Sequence, residues 1–141
     1  MLMQLIYASQ ETRPMSEEDL VRILQGARDK NQQYHVTGML VYKNGIFLQI
    51  LEGQDDALET IWEIIQADSR HDNIVEIRNR PIKERDFSDW AMGFTNLSGR
   101  DFSSIPGYSH FLDSDFSLEN LHTKPGFALD FLLSAKEINQ E

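Results

Sequence analysis

Few side chains in this sequence could do chemistry, and Gln49 is the most informative of them. It lies in the stretch Gly45-Ile46-Phe47-Leu48-Gln49-Ile50-Leu51-Glu52-Gly53. Strand alternation places Phe47, Gln49 and Leu51 on one face and Ile46, Leu48 and Ile50 on the other, so the pattern offers the amide no exposed position. An amide left unpaired in a core costs about 1–3 kcal/mol, and glutamine has both a donor and an acceptor end to satisfy. Neighbouring backbone could satisfy both. Tyr7, which shares a strand face with Met3 and Leu5, and Asn31, at the end of a helix, are the other polar residues entering apolar faces. Each alone reads as structural, Tyr7 as a core tyrosine and Asn31 as a helix terminator. Together they would form a hydrogen-bonding cluster able to hold a planar polar heterocycle.

Other chemistries lack their residues. His35, His71, His110 and His122 are not spaced as two ligands on one helix or hairpin face, and cysteine is absent. That argues against a metal site and removes disulfides, cysteine nucleophiles and cysteine adducts to a cofactor. The serines fall in caps and loops without a glycine-flanked elbow, and neither Gly-x-Gly-x-x-Gly nor a phosphate loop occurs. Net charge is -10, with acidic excess on both sides of Asn96 and no basic run, so nucleic acid is not expected as a direct partner. No apolar run approaches a membrane span, and Met1 to Gln10 lacks the basic start and apolar stretch of a signal peptide. The expectation is a soluble cytoplasmic protein, not membrane-bound.

The elements that position these residues follow from periodicity. Met1 to Ser9 alternates as a strand. Ser16 followed by Glu17, Glu18 and Asp19 starts a helix with a cap and an acidic first turn, and Leu20, Ile23, Leu24 and Ala27 form its buried stripe to about Asn31. Val36 to Tyr42 and Ile46 to Glu52 read as strands joined through Lys43, Asn44 and Gly45, a hairpin signal. A second helix runs from near Asp55 to about Asp68 with Leu58, Ile61, Trp62 and Ile65 inward. Ile74 to Asn79, closed by Pro81, and Trp90 to Thr95 complete five strands, with Trp90, Met92 and Phe94 expected on one face. The order βαββαββ fits an α/β (α+β) ferredoxin-like sandwich: one mixed five-stranded sheet with two helices on one face. First and third strands would lie side by side, bringing Tyr7 to Gln49.

At 141 residues and 40% hydrophobic content the chain holds one compact domain plus an extension. Gly99, Ser103, Ser104, Pro106 and Gly107 mark a loop-rich start to that extension. Ser117 caps a short turn, and Pro125 leads into a helix with Ala128, Leu132 and Ala135 beside Phe127 and Phe131. The bare face of the sheet is the economical surface for it to cover. We expect a boundary between residues 1–96 and 97–141.

Leu5-Ile6-Tyr7, Thr37-Gly38-Met39-Leu40, Phe47-Leu48-Gln49-Ile50-Leu51-Glu52-Gly53, Asp68-Ser69-Arg70-His71 and Phe87-Ser88-Asp89-Trp90-Ala91-Met92 together resemble the BLUF family of blue-light sensors that use flavin. The resemblance runs in order from Met1 to about Asn96. It implies FAD, with FMN as the alternative, held non-covalently between the two helices over the sheet. It implies that Tyr7 gives an electron and a proton to the excited flavin and that Gln49 lies between that tyrosine and the ring. Asn31 would bond the pyrimidine edge, and Asp68, Arg70 and His71 would contact the flavin or its ribityl tail. Leu24 and Phe47 complete the implied cofactor-binding set, and Trp90 and Met92 would be the switch pair. The sequence departs from the family at Gln4, where arginine is common, and at Tyr34-His35, where an asparagine-glycine pair is common.

Chemically this is coherent, because rotation or tautomerisation of a glutamine exchanges its donor and acceptor ends without a covalent adduct. The implied function is a non-enzymatic photoreceptor that signals to a separate protein in trans, with a homo-oligomer expected and the acidic surface favouring a basic partner patch. The alternative is a light-insensitive flavin- or protein-binding module on the same fold. An acylphosphatase-like hydrolase is disfavoured because Ala8 to Pro14 lacks a glycine-rich anion loop.

Overall fold

The computed structural model describes residues 1–98 and 116–138. The loop-rich stretch read around Gly99 to Gly107, and His110, lie outside the described residues. Five strands and four helices are described: β1 (Leu2–Glu11), α1 (Glu17–Gln33), β2 (Thr37–Lys43), β3 (Ile46–Gln54), α2 (Asp55–Ala67), β4 (His71–Pro81), β5 (Gly93–Asn96), α3 (Leu118–Thr123) and α4 (Pro125–Lys136). The sheet order is β4-β1-β3-β2-β5. Only the β2–β5 pair is parallel, which makes the sheet mixed.

Local chemistry accounts for the element ends that frame the site. Ser16 caps α1 by accepting from Asp19 N–H at 3.1 Å while the Asp19 carboxylate accepts from Ser16 N–H at 3.0 Å, a reciprocal capping box. The β2–β3 turn places Asn44 at φ 53° and Gly45 at φ 81°, the left-handed pair that a two-residue hairpin needs. Its register pairs Leu40 with Gln49. Pairing of β1 with β3 then sets Tyr7 directly opposite Gln49.

Alternation divides the core in two. Leu5, Tyr7, Leu40, Phe47 and Leu51 face α1 and α2 together with Leu20, Leu24, Leu58 and Ile61. Ile6, Ala8, Met39, Val41, Leu48 and Ile50 face the other way, where Leu121 of α3 and Ala128, Phe131, Leu132 and Ala135 of α4 cover them. Burying one such Leu or Phe contributes about 1.5–3 kcal/mol, so α4 is an integral layer. This is the expected ferredoxin-like α+β arrangement, with the C-terminal helices on the second face.

Two strand readings are corrected. β4 starts at His71 rather than Ile74, because His71 pairs with Glu11 and Asn73 takes φ 50° to keep the polar start on the ladder. β5 starts at Gly93 rather than Trp90, so Trp90 and Met92 precede the strand. Their carbonyls and that of Ala91 are taken by other partners: Gly38 N–H donates to Trp90 O at 3.2 Å, Asn31 Nδ2 to Ala91 O at 2.6 Å and Arg28 Nε to Met92 O at 3.0 Å. Consequently Trp90 and Met92 do not share a face. Trp90 packs with the α4-side core and Met92 with the α1/α2-side core, beside Phe94.

Candidate functional site

A cleft of about 900 Å³, counting its open mouth, lies between α1 and α2 above the centre of the sheet. Its walls are Ile23 and Ala27 from α1 and Ile61, Ile64 and Ile65 from α2, and its floor holds Leu40, Leu51, Phe47, Tyr7 and Gln49. An apolar slot with a few convergent polar groups is the usual form of a small-molecule site.

The polar groups are those at the ends of the positioning elements. Tyr7 hydroxyl donates to Gln49 Oε1 in a buried hydrogen bond. Gln49 Nε2 points to Met92 Sδ at 3.5 Å, a weak acceptor, so the amide's donor end is the less well satisfied of the two. Burial first, and then the Asp68 carboxylate, push the Tyr7 phenol well above its ordinary value, so it is a neutral donor at any physiological pH. The Tyr7 ring packs against Trp62 of α2, centroids 5.1 Å apart at 56°, and against the edge of His71 at 6.3 Å.

Asn31 sits in the last turn of α1, buried and lining the cleft, instead of terminating the helix. Its Nδ2 is committed to Ala91 O, whereas its Oδ1 makes no hydrogen bond among the described residues. At the cleft's other end Asp68 and Arg70 form an ion pair, Arg70 Nη2 to Asp68 Oδ2 at 2.6 Å, with Nε at 3.0 Å from Oδ1. Arg70 holds the Asp68 carboxyl below its usual range, and Asp68 in turn holds the guanidinium proton more tightly. Lys30 adds a second cation on the lining.

Of the residues singled out from sequence, Tyr7, Asn31, Phe47, Gln49, Asp68, Arg70 and His71 line this one cleft. Met92 reaches it through Gln49. Trp90 does not line it. Leu24 is a correction: it is buried in the core below, and Ile23 and Ala27 form the α1 wall. The apolar stripe of a helix is wider than one contact line, and its two flanks meet different neighbours. His71 lines the cleft with both ring nitrogens engaged, Nδ1 with Ser9 Oγ at 2.6 Å and Nε2 with Ile65 O at 2.7 Å.

Sequence reasoning missed a second polar cluster on the opposite face. Glu52 and Gln4, both fully buried and paired in register, meet with Gln4 Nε2 2.9 Å from Glu52 Oε2. Glu52 also accepts from the main-chain N–H of Asp86 and Phe87 at 3.1 and 2.7 Å, anchoring the segment ahead of Trp90. The signal was the same as for Gln49: a polar residue inside a buried strand.

The cleft suits a flavin-like planar heterocycle. Apolar helix flanks face each other across a slot, and Asn31 Oδ1 is an open acceptor for an imide N–H. Gln49 lies at the floor, and Arg70, at the end away from Asn31, is a cation suited to a phosphate-bearing tail. No group of three or more metal-ligating side chains occurs among the described residues. No described helix is long and apolar enough to cross a membrane.

The family model described as BLUF, sensors of blue-light using FAD, matches residues 2–93. The photoactivated adenylate cyclase subunit beta of Euglena longa is 42% identical over 92 residues, 64% of this chain and 11% of that protein. The Euglena gracilis subunit is 40% identical over a segment of the same coverage. The chain thus spans about a tenth of the length of these curated relatives. The dark-state structure of the BLUF protein BlrB is similar with a TM-score of 0.74 and 28% identity, covering 96% of this chain and 95% of BlrB. The photo-activated state of BlsA gives 0.73 and 31%, covering 94% and 95%.

Proposed function

The chain belongs to the BLUF family of blue-light sensors that use flavin, and from that premise we propose that Tyr7 and Gln49 are its photoactive pair and Met92 its first responder. Bound in the cleft, a flavin supplies blue-light absorption and, once excited, an oxidant for a nearby phenol. Every other part of the scheme belongs to the protein. Asn31 Oδ1 would take the imide N–H, and Ile23, Ala27, Ile65, Phe47 and Leu40 would hold the ring. Arg70 would meet the phosphate-bearing tail, which both FAD and FMN carry, while Lys30 lies beside Asn31 at the imide end, and FAD is the proposed occupant.

With one electron taken from Tyr7 by that oxidant, its hydroxyl proton would pass along its bond to Gln49 Oε1, and both return to Tyr7 when the electron comes back. Gln49 answers by rotating or tautomerising, which exchanges its donor and acceptor ends. Its Nε2 contact with Met92 Sδ is then lost or remade, and the strain passes to Ala91 and the start of β5. Trp90, on the far side of that segment, carries the change into the α4-side core. We propose residues 1–96 as the sensor unit and residues 97–141 as the extension that presents the signal to a separate protein.

The observation that supports this reading most is the buried Tyr7–Gln49 hydrogen bond at the floor of an apolar cleft. Purification from flavin-replete cells followed by illumination tests it. A yellow protein whose absorption bands shift to the red and return in darkness is expected. A colourless protein, or bands that stay fixed, would remove it.

A further inference from the structure

The ring of His71 lines the cleft, but its hydrogen-bonding capacity is already spent. A carbonyl oxygen only accepts, so Nε2, 2.7 Å from Ile65 O, carries a proton. In the neutral ring Nδ1 then accepts from the hydroxyl of Ser9, which is fully buried and 2.6 Å away. These two bonds tie the last turns of α2 to β1 at the residue two along from Tyr7, on the same strand face. Only ring carbons are left for a ligand.

Those carbons are placed with care. The imidazole stands edge-on to Tyr7, centroids 6.3 Å apart at 67°, and edge-on to Phe47 at 6.4 Å and 85°. Trp62 of α2 packs on the same phenol ring at 5.1 Å. The phenol ring is therefore in contact with both α2 and the start of β4, and these contacts restrict where its hydroxyl meets Gln49. Rotation of Tyr7 would have to displace His71, which two hydrogen bonds oppose.

We propose that His71 is a positioning residue for Tyr7, locked with its Nε2 proton on Ile65 O and its Nδ1 on Ser9 Oγ, and not a hydrogen-bonding ligand of the flavin. This rests on the Tyr7–Gln49 reading for its consequence in the photocycle, but the lock itself is a property of the protein alone.

The test has a part that needs no light. Ring ¹⁵N shifts of His71 should report the Nε2–H tautomer in the flavin-free protein and stay unchanged when FMN or FAD is added. Ser9→Ala and His71→Phe both perturb the lock, and in Ser9→Ala, which lies outside the cleft lining, the flavin dissociation constant should remain within about threefold of wild type, because no ligand bond is lost. The Tyr7 ring-flip rate by NMR and the dark-recovery rate should each change by about fivefold or more, the equivalent of one net hydrogen bond. A His71 shift that moves on flavin binding overturns the proposal. So does an affinity loss of about tenfold or more in Ser9→Ala with ring flips and recovery unchanged. If His71→Phe does not fold, the wild-type spectra and Ser9→Ala, which lies outside the cleft lining, decide the matter. If wild type shows no light-induced shift, the photochemical reading fails, and the tautomer and ring-flip results still judge the lock.

Discussion

Replacing Glu52 with glutamine keeps the side-chain volume and turns one acceptor atom into a donor, at a site where every partner is a donor. Oε1 accepts Phe87 N–H at 2.7 Å, and Oε2 accepts Asp86 N–H at 3.1 Å and Gln4 Nε2 at 2.9 Å. If the new amide nitrogen takes the first place, Phe87 N–H is orphaned. If it takes the second, Asp86 N–H is orphaned and Gln4 Nε2 keeps only Asp86 Oδ2 at 3.3 Å. One buried unpaired N–H costs about 1–3 kcal/mol, and the surviving bonds lose charge assistance worth about 1 kcal/mol. Relief from burying a carboxylate offsets part of that, so the expected net loss is about 2 kcal/mol. Urea unfolding monitored by tryptophan fluorescence measures it as a shift in midpoint at constant slope. The cluster lies on the face opposite the cleft, so flavin should remain bound. A loss below about 0.5 kcal/mol would mean that Glu52 does not anchor the 86–92 segment as its bonds suggest.

Further perturbations separate the other parts of the account. Tyr7→Phe should retain flavin and fold while the reversible shift disappears, and a persistent shift on illumination would exclude Tyr7 as the donor. Gly38→Ala should destabilise by about 3 kcal/mol or more in the same urea assay, because a Cβ would sit 2.0 Å from Ile50 O and backbone cannot yield cheaply. Burial, followed by the hydrogen bond to Glu11, pushes the Tyr42 phenol up from 10.0 to about 12. The protonated phenol therefore stabilises the fold fully below pH 10, and that contribution is lost as pH rises towards 12. Tyr42→Phe should flatten stability over that window, and an unchanged pH profile would count against the Tyr42–Glu11 bond. Arg70→Ala should release the Asp68 carboxyl towards its ordinary range and weaken FAD binding by about tenfold, which fluorescence titration checks.

How much of this was legible before any coordinates depends on which physical constraint each residue answers to. Tyr7 and Gln49 were legible because strand period and the central position of two strands suffice to bring them together. Asn31 was legible as a polar residue at a helix end, but its burial and its bond to Ala91 depend on a segment 60 residues away. Leu24 and Ile23 belong to one apolar stripe, and only the placement of α2 decides which flank lines a cleft. Trp90 and Met92 alternate like strand residues, yet Arg28, Asn31 and Gly38 take the carbonyls of residues 90–92 and delay the ladder to Gly93. His71 has the composition of a loop residue, and its pairing with Glu11 makes it the first residue of β4. Gln4 and Glu52 obeyed the same alternation rule that exposed Gln49, and their position near strand ends concealed that they are paired.

If the two-ended amide of Gln49 is the switch, the light-minus-dark absorption difference must vanish in Gln49→Leu. Leucine fills a similar volume, keeps the apolar floor and removes both the acceptor for Tyr7 and the donor towards Met92. The expected result is a folded protein that still binds flavin and shows no reversible red shift. A shift of wild-type size and recovery in that variant would contradict it.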